Sequence, residues 1–239
     1  MNVIAIIPAY NEAGTIADVV QRTRPYVSAV VVVDDGSTDQ TATHAAQAGA
    51  HVIRHPQNRG KGAAILTGLA HLRQSQADAA IFLDADGQHD PDEIPQFIRC
   101  AENNPAGIVV GNRMTHTADM PWLRLQTNRV TSWITGTLAG QPIPDSQCGY
   151  RLIHRRVLPA LALGTAHFET ETEMLIQAGR AGYRIASVPV RTIYLPGRHS
   201  HIRPLRDTLR FLRLAFRYLA RSQTTANPDH RRHSLGPGR

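Results

Sequence analysis

The sequence predicts an α/β fold: a mixed, mostly parallel sheet flanked by helices and followed by a C-terminal amphipathic helix. Three observations predict it. Short apolar runs rich in Val and Ile alternate with amphipathic segments of helical period through the first half of the chain. Several of these runs end abruptly in Asp, Asn or Glu, as strands do where an open α/β sheet meets its ligands. At 239 residues and 42% hydrophobic, the chain can bury one sizeable core. No apolar run approaches the roughly 20 residues that a membrane-spanning helix needs.

Val3 to Ile7 reads as the first strand, stopped by Pro8, and Glu12 to about Tyr26 as a helix. Ala29 to Val33 is a β-branched strand, after which Ser37 or Thr38 can cap a helix running to Ala48. His51 to Arg54 is a short strand and Gly60 to about Arg73 a helix. Ala79 to Leu83 and Ile108 to Gly111 complete the recognisable core strands. Pro121 to about Ala139 is helical, Asp145 to Ile153 is a loop leading into a strand, and Glu169 to Ala181 is a helix. Tyr183 to Val188 is a strand and Leu205 to Arg221 the last helix. These segments predict a main domain over residues 1–204, a basic amphipathic helix over 205–221, and a disordered tail over 222–239 that lacks apolar periodicity.

The net charge of +7 is unevenly placed: from Arg198 onward there are ten Arg against Asp207 and Asp229, while the rest of the chain is close to neutral. Arg206, Arg210, Arg213, Arg217 and Arg221 fall on one stripe of the last helix, with Leu205, Leu209, Leu212, Phe216 and Leu219 on the adjoining face. Two readings follow: a helix packed on the domain with a solvated Arg face, or an interfacial helix lying on anionic lipid. Nucleic acid is a poor partner, because no aromatics interleave the Arg stripe for base stacking. The start of the chain enters a strand-like run without a basic region, which reads as no signal peptide. Cys100 and Cys148 are far apart and in no ligand spacing, as in a reducing cytosol. The expected location is cytoplasmic, peripheral at the inner face of the membrane.

Chemistry concentrates at three strand ends. Asp84-Ala85-Asp86 closes one apolar run and opens the polar stretch Gly87-Gln88-His89-Asp90-Pro91. Two carboxylates at i and i+2 suit a hard divalent cation that keeps positions open for phosphate oxygens. Pro8-Ala9-Tyr10-Asn11-Glu12 follows the first strand and Asp34-Asp35-Gly36-Ser37 the second. Three such clusters converge on one edge of a parallel sheet, where a nucleotide can sit. No G-x-G-x-x-G follows the first strand and no G-x-x-x-x-G-K-[ST] occurs, so dinucleotide and P-loop chemistry fit poorly.

In order, these blocks resemble the family 2 inverting glycosyltransferases of the nucleotide-sugar-binding (GT-A) fold, and among them the dolichol- and polyprenyl-phosphate sugar synthases. The match runs through Ile6-Ile7-Pro8-Ala9-Tyr10-Asn11-Glu12, Val33-Asp34-Asp35-Gly36-Ser37-Thr38-Asp39 and Asn58-Arg59-Gly60-Lys61-Gly62. It continues through Asp84 to Pro91, Gly111-Asn112-Arg113 and Asp145-Ser146-Gln147-Cys148-Gly149-Tyr150-Arg151, covering roughly residues 3 to 200. The resemblance implies that Pro8, Tyr10 and Glu12 line a nucleotide pocket, that Asp35 contacts the base or ribose, and that Lys61 sits near the nucleotide. It implies that Asp84 and Asp86, assisted by Gln88, hold Mg²⁺ or Mn²⁺ and the diphosphate, with Asp86 catalytic. Arg113 and Arg124 match acceptor-phosphate arginines, a role that suits the bidentate guanidinium; Arg113 is also placed among the catalytic residues, and Arg129 is a further candidate. The same resemblance places Asp145 among the catalytic residues, orienting acceptor or sugar, and Glu171 is the choice within the acidic segment Phe168 to Glu173. Arg198 and Ser200 resemble an Arg…Ser-Lys element of a closing loop, but His201 stands where that element has Lys.

The function so implied is transfer of one sugar from a UDP- or GDP-sugar to a polyprenyl- or dolichyl-phosphate lipid in a single inverting displacement. No Q-x-x-R-W element of processive synthases is present. A phosphate acceptor arrives ionised and needs no general base. A hydroxyl acceptor, the alternative, needs one, for which Asp145 and Glu171 are the candidates. A catalytically silent nucleotide-sugar or polyanion binder is the remaining class.

Overall fold

The computed structural model describes residues 1–117, 120–165, 167, 169–193 and 204–224, with backbone alone at 204–207 and 221–224. Seven strands form one sheet: β1 Val3–Ala9, β2 Ala29–Asp34, β3 His51–Arg54, β4 Ala79–Phe82, β5 Ala106–Asn112, β6 Arg151–His154 and β7 Arg184–Pro189. Their order is β3-β2-β1-β4-β6-β5-β7. β1 runs parallel to β2 and β4, β2 to β3, and β5 to β7, while β6 is antiparallel to both β4 and β5. The sheet is therefore mixed and mostly parallel, as the alternating pattern predicts. Its central strands are buried, which is why they read as continuous apolar runs rather than alternating ones.

The helices are α1 Ile16–Thr23, α2 Thr41–Gln47, α3 Lys61–Gln74, α4 Ile94–Asn103, α5 Trp122–Ala139, α6 Glu169–Arg180 and α7 Pro204–Thr224. Several bounds differ from the sequence-based expectation. Pro8 lies inside β1, paired with Val33, instead of stopping it. The first helix begins at Ile16, because the Glu12 carbonyl is taken by the amides of Thr15 and Ile16 in a tight turn. Ser37 does not cap α2; its hydroxyl accepts the Asn11 amide, and Asp39 accepts the Thr41 amide at the helix start. α4 occupies a stretch to which the sequence reading assigns no element, and buries Ile94, Phe97 and Ala101 on one face. α7 runs to Thr224, into the predicted tail; residues 225–239 lie outside the described residues.

The core is built from Ile6 and Ile7 of β1, Ile81 of β4, Leu152 and Ile153 of β6, and Phe97 of α4, all fully buried. The chain leaves β1 toward β2 on one side, and β4 flanks β1 on the other. The C-terminal ends of β1 and β4 thus border a topological switch point, where open α/β sheets bind ligands. The antiparallel β6 enters the sheet at Arg151, opposite Phe82 of β4, so the loop before it meets the same edge.

Candidate active site

The loop after β1 is laced to its neighbours by short polar contacts. Asn11 adopts a left-handed φ of 55°, which Asn tolerates better than most residues. Its amide donates to Ser37 Oγ and its Oδ1 accepts the Thr38 amide, both at 2.9 Å. Thr15 Oγ1 donates to the Ala85 carbonyl at 2.8 Å, between the two carboxylates after β4. Pro8, Tyr10 and Glu12 are half-buried along this edge.

The loop after β2 holds a different loop in place. Asp35 Oδ1 accepts the Arg59 amide at 3.0 Å and lies 2.6 Å from His55 Nδ1, while Oδ2 accepts the Gly60 amide at 2.7 Å. His55 Nε2 meets Thr67 Oγ1 at 2.9 Å, so the imidazole bridges Asp35 to α3. Asp35 therefore fixes the turn that launches α3 and sets Lys61 at its first helical position. Gly36 makes that turn possible. It has φ +74°, and a Cβ there would lie 2.4 Å from the Gln57 carbonyl carbon. A cleft lined by Gly36, Ser37, Thr38, Arg54, His55 and Pro56 opens beside it.

The acidic pair sits where β4 ends. Lys61 Nζ lies 2.7 Å from Asp84 Oδ1 and 3.6 Å from Glu171 Oε2, so the ammonium bridges the β4 loop and α6. The Lys61 and Asp84 side chains remain 22% and 30% exposed, within reach of a ligand. Burial, the largest single influence, would raise the Asp84 carboxyl; Lys61, His89 and Arg113 together outweigh it and hold the group well below the usual carboxylate range. Asp86 behaves oppositely: burial and then the charge of Asp84 raise it, with Glu12 adding to the repulsion. Such crowding of carboxylates fits a divalent cation. Asp86 Oδ1 also accepts the Gln88 amide at 3.0 Å, a local turn that orients it. Among the described residues no three His, Cys, Asp or Glu side chains converge to hold a metal ion. The pair fits a cation whose remaining ligands come from a diphosphate and solvent.

Sequence reasoning assigned no role to His89 or Arg151. His89 is buried, stacks on Tyr150 at 4.9 Å, and its Nδ1 accepts the Asp84 amide at 3.0 Å. That contact puts the ring proton on Nε2, which lies 3.8 Å from Asp84 Oδ2. Burial lowers the His89 pKa to about 4, so the ring is neutral at ordinary pH. Arg151 is fully buried; its guanidinium donates to the Glu171 carbonyl at 2.9 Å and stands 3.6 Å from Glu171 Oε1. The visible signal was an Arg opening an otherwise apolar strand, since a buried cation demands an anionic partner.

Arg113 and Asp145 form a fork-to-fork pair at the end of β5. Nε donates to Oδ2 at 2.8 Å and Nη2 to Oδ1 at 2.9 Å, and the Arg113 amide adds a third bond to Oδ2 at 3.1 Å. Both residues are buried, and the Arg113 charge reaches Asp84 electrostatically. Arg124 is half-buried in the first turn of α5; among the described residues, no hydrogen bond or ion pair ties it to Arg113 or Asp145. Arg129 is exposed on the same helix. For Gln88, the backbone contacts Asp86 and the Ile193 amide, and no side-chain ligand role is drawn from them. Arg198 and Ser200 lie outside the described residues.

Comparison with known proteins accords with this geometry. Residues 4–161 match the model of Glycosyl transferase family 2. A UDP-N-acetylglucosamine–dolichyl-phosphate N-acetylglucosaminyltransferase of Methanococcus voltae is 34% identical over 212 residues, covering 79% of this chain and 84% of its own. An undecaprenyl-phosphate mannosyltransferase of Micrococcus luteus is 30% identical over 203 residues, covering 80% and 83%. Among solved structures, glucosyl-3-phosphoglycerate synthase from Mycobacterium tuberculosis, in complex with Mn²⁺, UDP and glucosyl-3-phosphoglycerate, superposes with a TM-score of 0.67. It shares 21% identity and covers 95% of this chain and 81% of its own. This chain belongs to glycosyl transferase family 2, carried on the GT-A fold.

Proposed function

We propose that the protein is an inverting glycosyltransferase that moves one sugar from a nucleoside-diphosphate sugar to the phosphate of a polyprenyl- or dolichyl-type lipid at a membrane surface. One observation carries the choice of acceptor: both carboxylates that could serve as a general base are clamped by cations. Asp145 has each oxygen engaged by Arg113. Glu171 lies between Lys61 and Arg151 at 3.6 Å from each. Carboxylates whose oxygens already face cationic donors are badly placed to receive the proton of a hydroxyl acceptor, an arrangement that suits an acceptor arriving ionised. The lipid-phosphate transferases among the relatives support the same acceptor.

In this reading Pro8, Tyr10, Glu12 and the loop held by Asp35 frame the base and ribose. Asp84 and Asp86 hold Mg²⁺ or Mn²⁺, which when bound supplies Lewis-acid stabilisation to the departing diphosphate. Lys61 adds a positive charge beside the same diphosphate. Arg113, oriented by Asp145 through Nε and Nη2, presents its remaining Nη1 edge to the acceptor phosphate. Arg124 and Arg198 are assigned to that phosphate as well. The phosphate oxygen attacks the anomeric carbon from the face opposite the diphosphate, so the carbon–oxygen bond to the donor breaks as the new one forms and the configuration inverts.

Membrane contact is supported by what α5 and α7 leave uncovered. α7 docks through Phe211, Leu214, Ala215 and Tyr218, yet Leu209, Leu212, Phe216 and Leu219 stay exposed beside Arg213 and Arg217. α5 adds exposed Trp122, Leu123, Val130 and Trp133. No described helix is long and apolar enough to cross a membrane. An apolar strip flanked by arginines fits an anionic bilayer surface, in line with a peripheral, inner-face location. Residues 1–204 then form the catalytic domain, and the helix after it is both packed and lipid-facing.

The test is incubation with labelled UDP- and GDP-sugars, Mn²⁺ or Mg²⁺ and polyprenyl phosphate, counting label in the organic phase. Transfer that vanishes with chelator and in Asp86→Ala supports the reading. Release of nucleoside diphosphate without labelled lipid moves the acceptor elsewhere, and no turnover with any donor removes the enzyme.

A further inference from the structure

Lys61 occupies the position that a cation ligand would need. Its ammonium sits 2.7 Å from Asp84 Oδ1, one of the oxygens the acidic pair could offer a metal ion. It has a second seat as well, with Glu171 Oε2 at 3.6 Å. Asp35 grips the Gly60 amide and fixes the backbone at the start of α3, so the flexible Lys61 stem starts from a rigid point. On the other side the chain carries Gly149, where a Cβ would lie 3.1 Å from Lys61 Nζ and 3.1 Å from Asp84 Oδ2. Any larger residue there would crowd the ammonium and the carboxylate together. The stem is thus held at its base and given room at its tip.

We propose that Lys61 is an exchangeable counter-ion of the acidic pair, seated on Asp84 in direct competition with a divalent cation. Each divalent ion that ligates Asp84 must displace Lys61 toward Glu171 or toward an incoming anion. On the nucleotide-sugar reading, on which this consequence rests, the donor diphosphate is that anion. It takes the ammonium onto its own oxygens and releases Asp84. Metal and nucleoside diphosphate then bind with positive coupling, and each raises the affinity of the other by the same factor. The arrangement also keeps Asp84 paired when no substrate is bound, which limits capture of stray cations.

The experiment measures Mn²⁺ binding, by the loss of the free-ion electron paramagnetic resonance signal, to wild type, Lys61→Met and Lys61→Arg. Each is titrated alone and with saturating UDP or GDP, after circular dichroism has shown native helix content. Without nucleotide, Lys61→Met should bind Mn²⁺ about tenfold tighter than wild type or more, and Lys61→Arg, which keeps the charge, no tighter. Against a protein-free blank with the same nucleotide, nucleoside diphosphate should tighten Mn²⁺ binding by wild type about tenfold, and by Lys61→Met less, because only direct ligation of the metal by the diphosphate then couples the two. Equal or weaker Mn²⁺ binding by Lys61→Met overturns the proposal, as does a gain in Lys61→Arg matching that in Lys61→Met. If Lys61→Met gains affinity but neither nucleotide affects wild type, the counter-ion role is upheld and the nucleotide-sugar reading fails.

Discussion

Arg113 and Asp145 are buried together as an ion pair, Nε to Oδ2 at 2.8 Å. Removing one partner of a buried ion pair strands the other, at a cost of roughly 3 to 5 kcal/mol. Urea unfolding of Asp145→Ala should register a loss of that size, and Arg113→Met combined with Asp145→Ala should recover most of it. A loss under 1 kcal/mol in Asp145→Ala, by the same comparison, would mean that the pair is solvated. A second residue-scale expectation concerns Cys148, whose thiol burial raises from 9.0 to about 11 despite the opposing pull of Arg113. Through that window the unfolded chain releases a proton that the native thiol keeps, so stability falls as pH rises. Unfolding measured at pH 8.5 and pH 10.5 should show a shallower fall in Cys148→Ala; equal slopes would place the thiol in solvent. At this scale the motifs marked, separately, residues that the structure brings together, Lys61 and Asp84 at 2.7 Å. Asp84, Asp86 and Lys61 could be named from their motifs, whereas the Arg113–Asp145 link spans 32 residues and was invisible. Asp35 carries, besides the nucleotide role its motif suggests, a structural task that no motif shows: its oxygens hold the Arg59–Gly60 turn and His55, because a buried carboxylate must find donors wherever the fold supplies them.

At the scale of elements, α7 combines three faces on one helix. Tyr218 anchors the packed face: its hydroxyl accepts from Gln177 at 2.8 Å and its ring lies under the Arg180 guanidinium at 4.9 Å. The Leu209-Leu212-Phe216-Leu219 strip and the Arg213–Arg217 edge remain outside. The sequence pattern marked that apolar strip and Arg stripe because a helical period needs no tertiary context. It could not show which apolar residues α5 and α6 would cover. The exposed face of α5 escaped notice for the same reason: Trp122 and Trp133 are each 72% exposed, and a Trp in a helix normally reads as core. α4 is hard to read locally: Ile94, Phe97 and Ala101 repeat at helical spacing, but Pro91 and Pro95 break the pattern where it begins. Sedimentation with vesicles containing anionic lipid should show binding that weakens with salt and drops about tenfold or more in Trp122→Ser combined with Trp133→Ser. Binding unchanged in that variant would remove α5 from the membrane surface.

For the whole molecule, the decisive feature is the antiparallel insertion of β6 between β4 and β5. Had the sheet been wholly parallel, the segment from Asp145 to Tyr150 would lie at the far edge, away from Asp84 and Arg113. Reversing one strand brings it to the near edge, where Gly149 faces the Lys61–Asp84 pair and Asp145 grips Arg113. Alternation of strands and helices announced an α/β sheet, but strand order and the direction of β6 come from long-range pairing that no local pattern encodes. The result is one edge with two charged halves: an acidic pair at β4, proposed above to hold a metal-bridged diphosphate, and a clamped arginine at β5, proposed to meet a second anion. The most direct test of that division offers the enzyme polyprenyl phosphate and the matching polyprenol side by side, with a labelled nucleotide sugar. Label on the phosphate alone, abolished in Arg113→Met, is the predicted result; transfer to the alcohol at a comparable rate would contradict it.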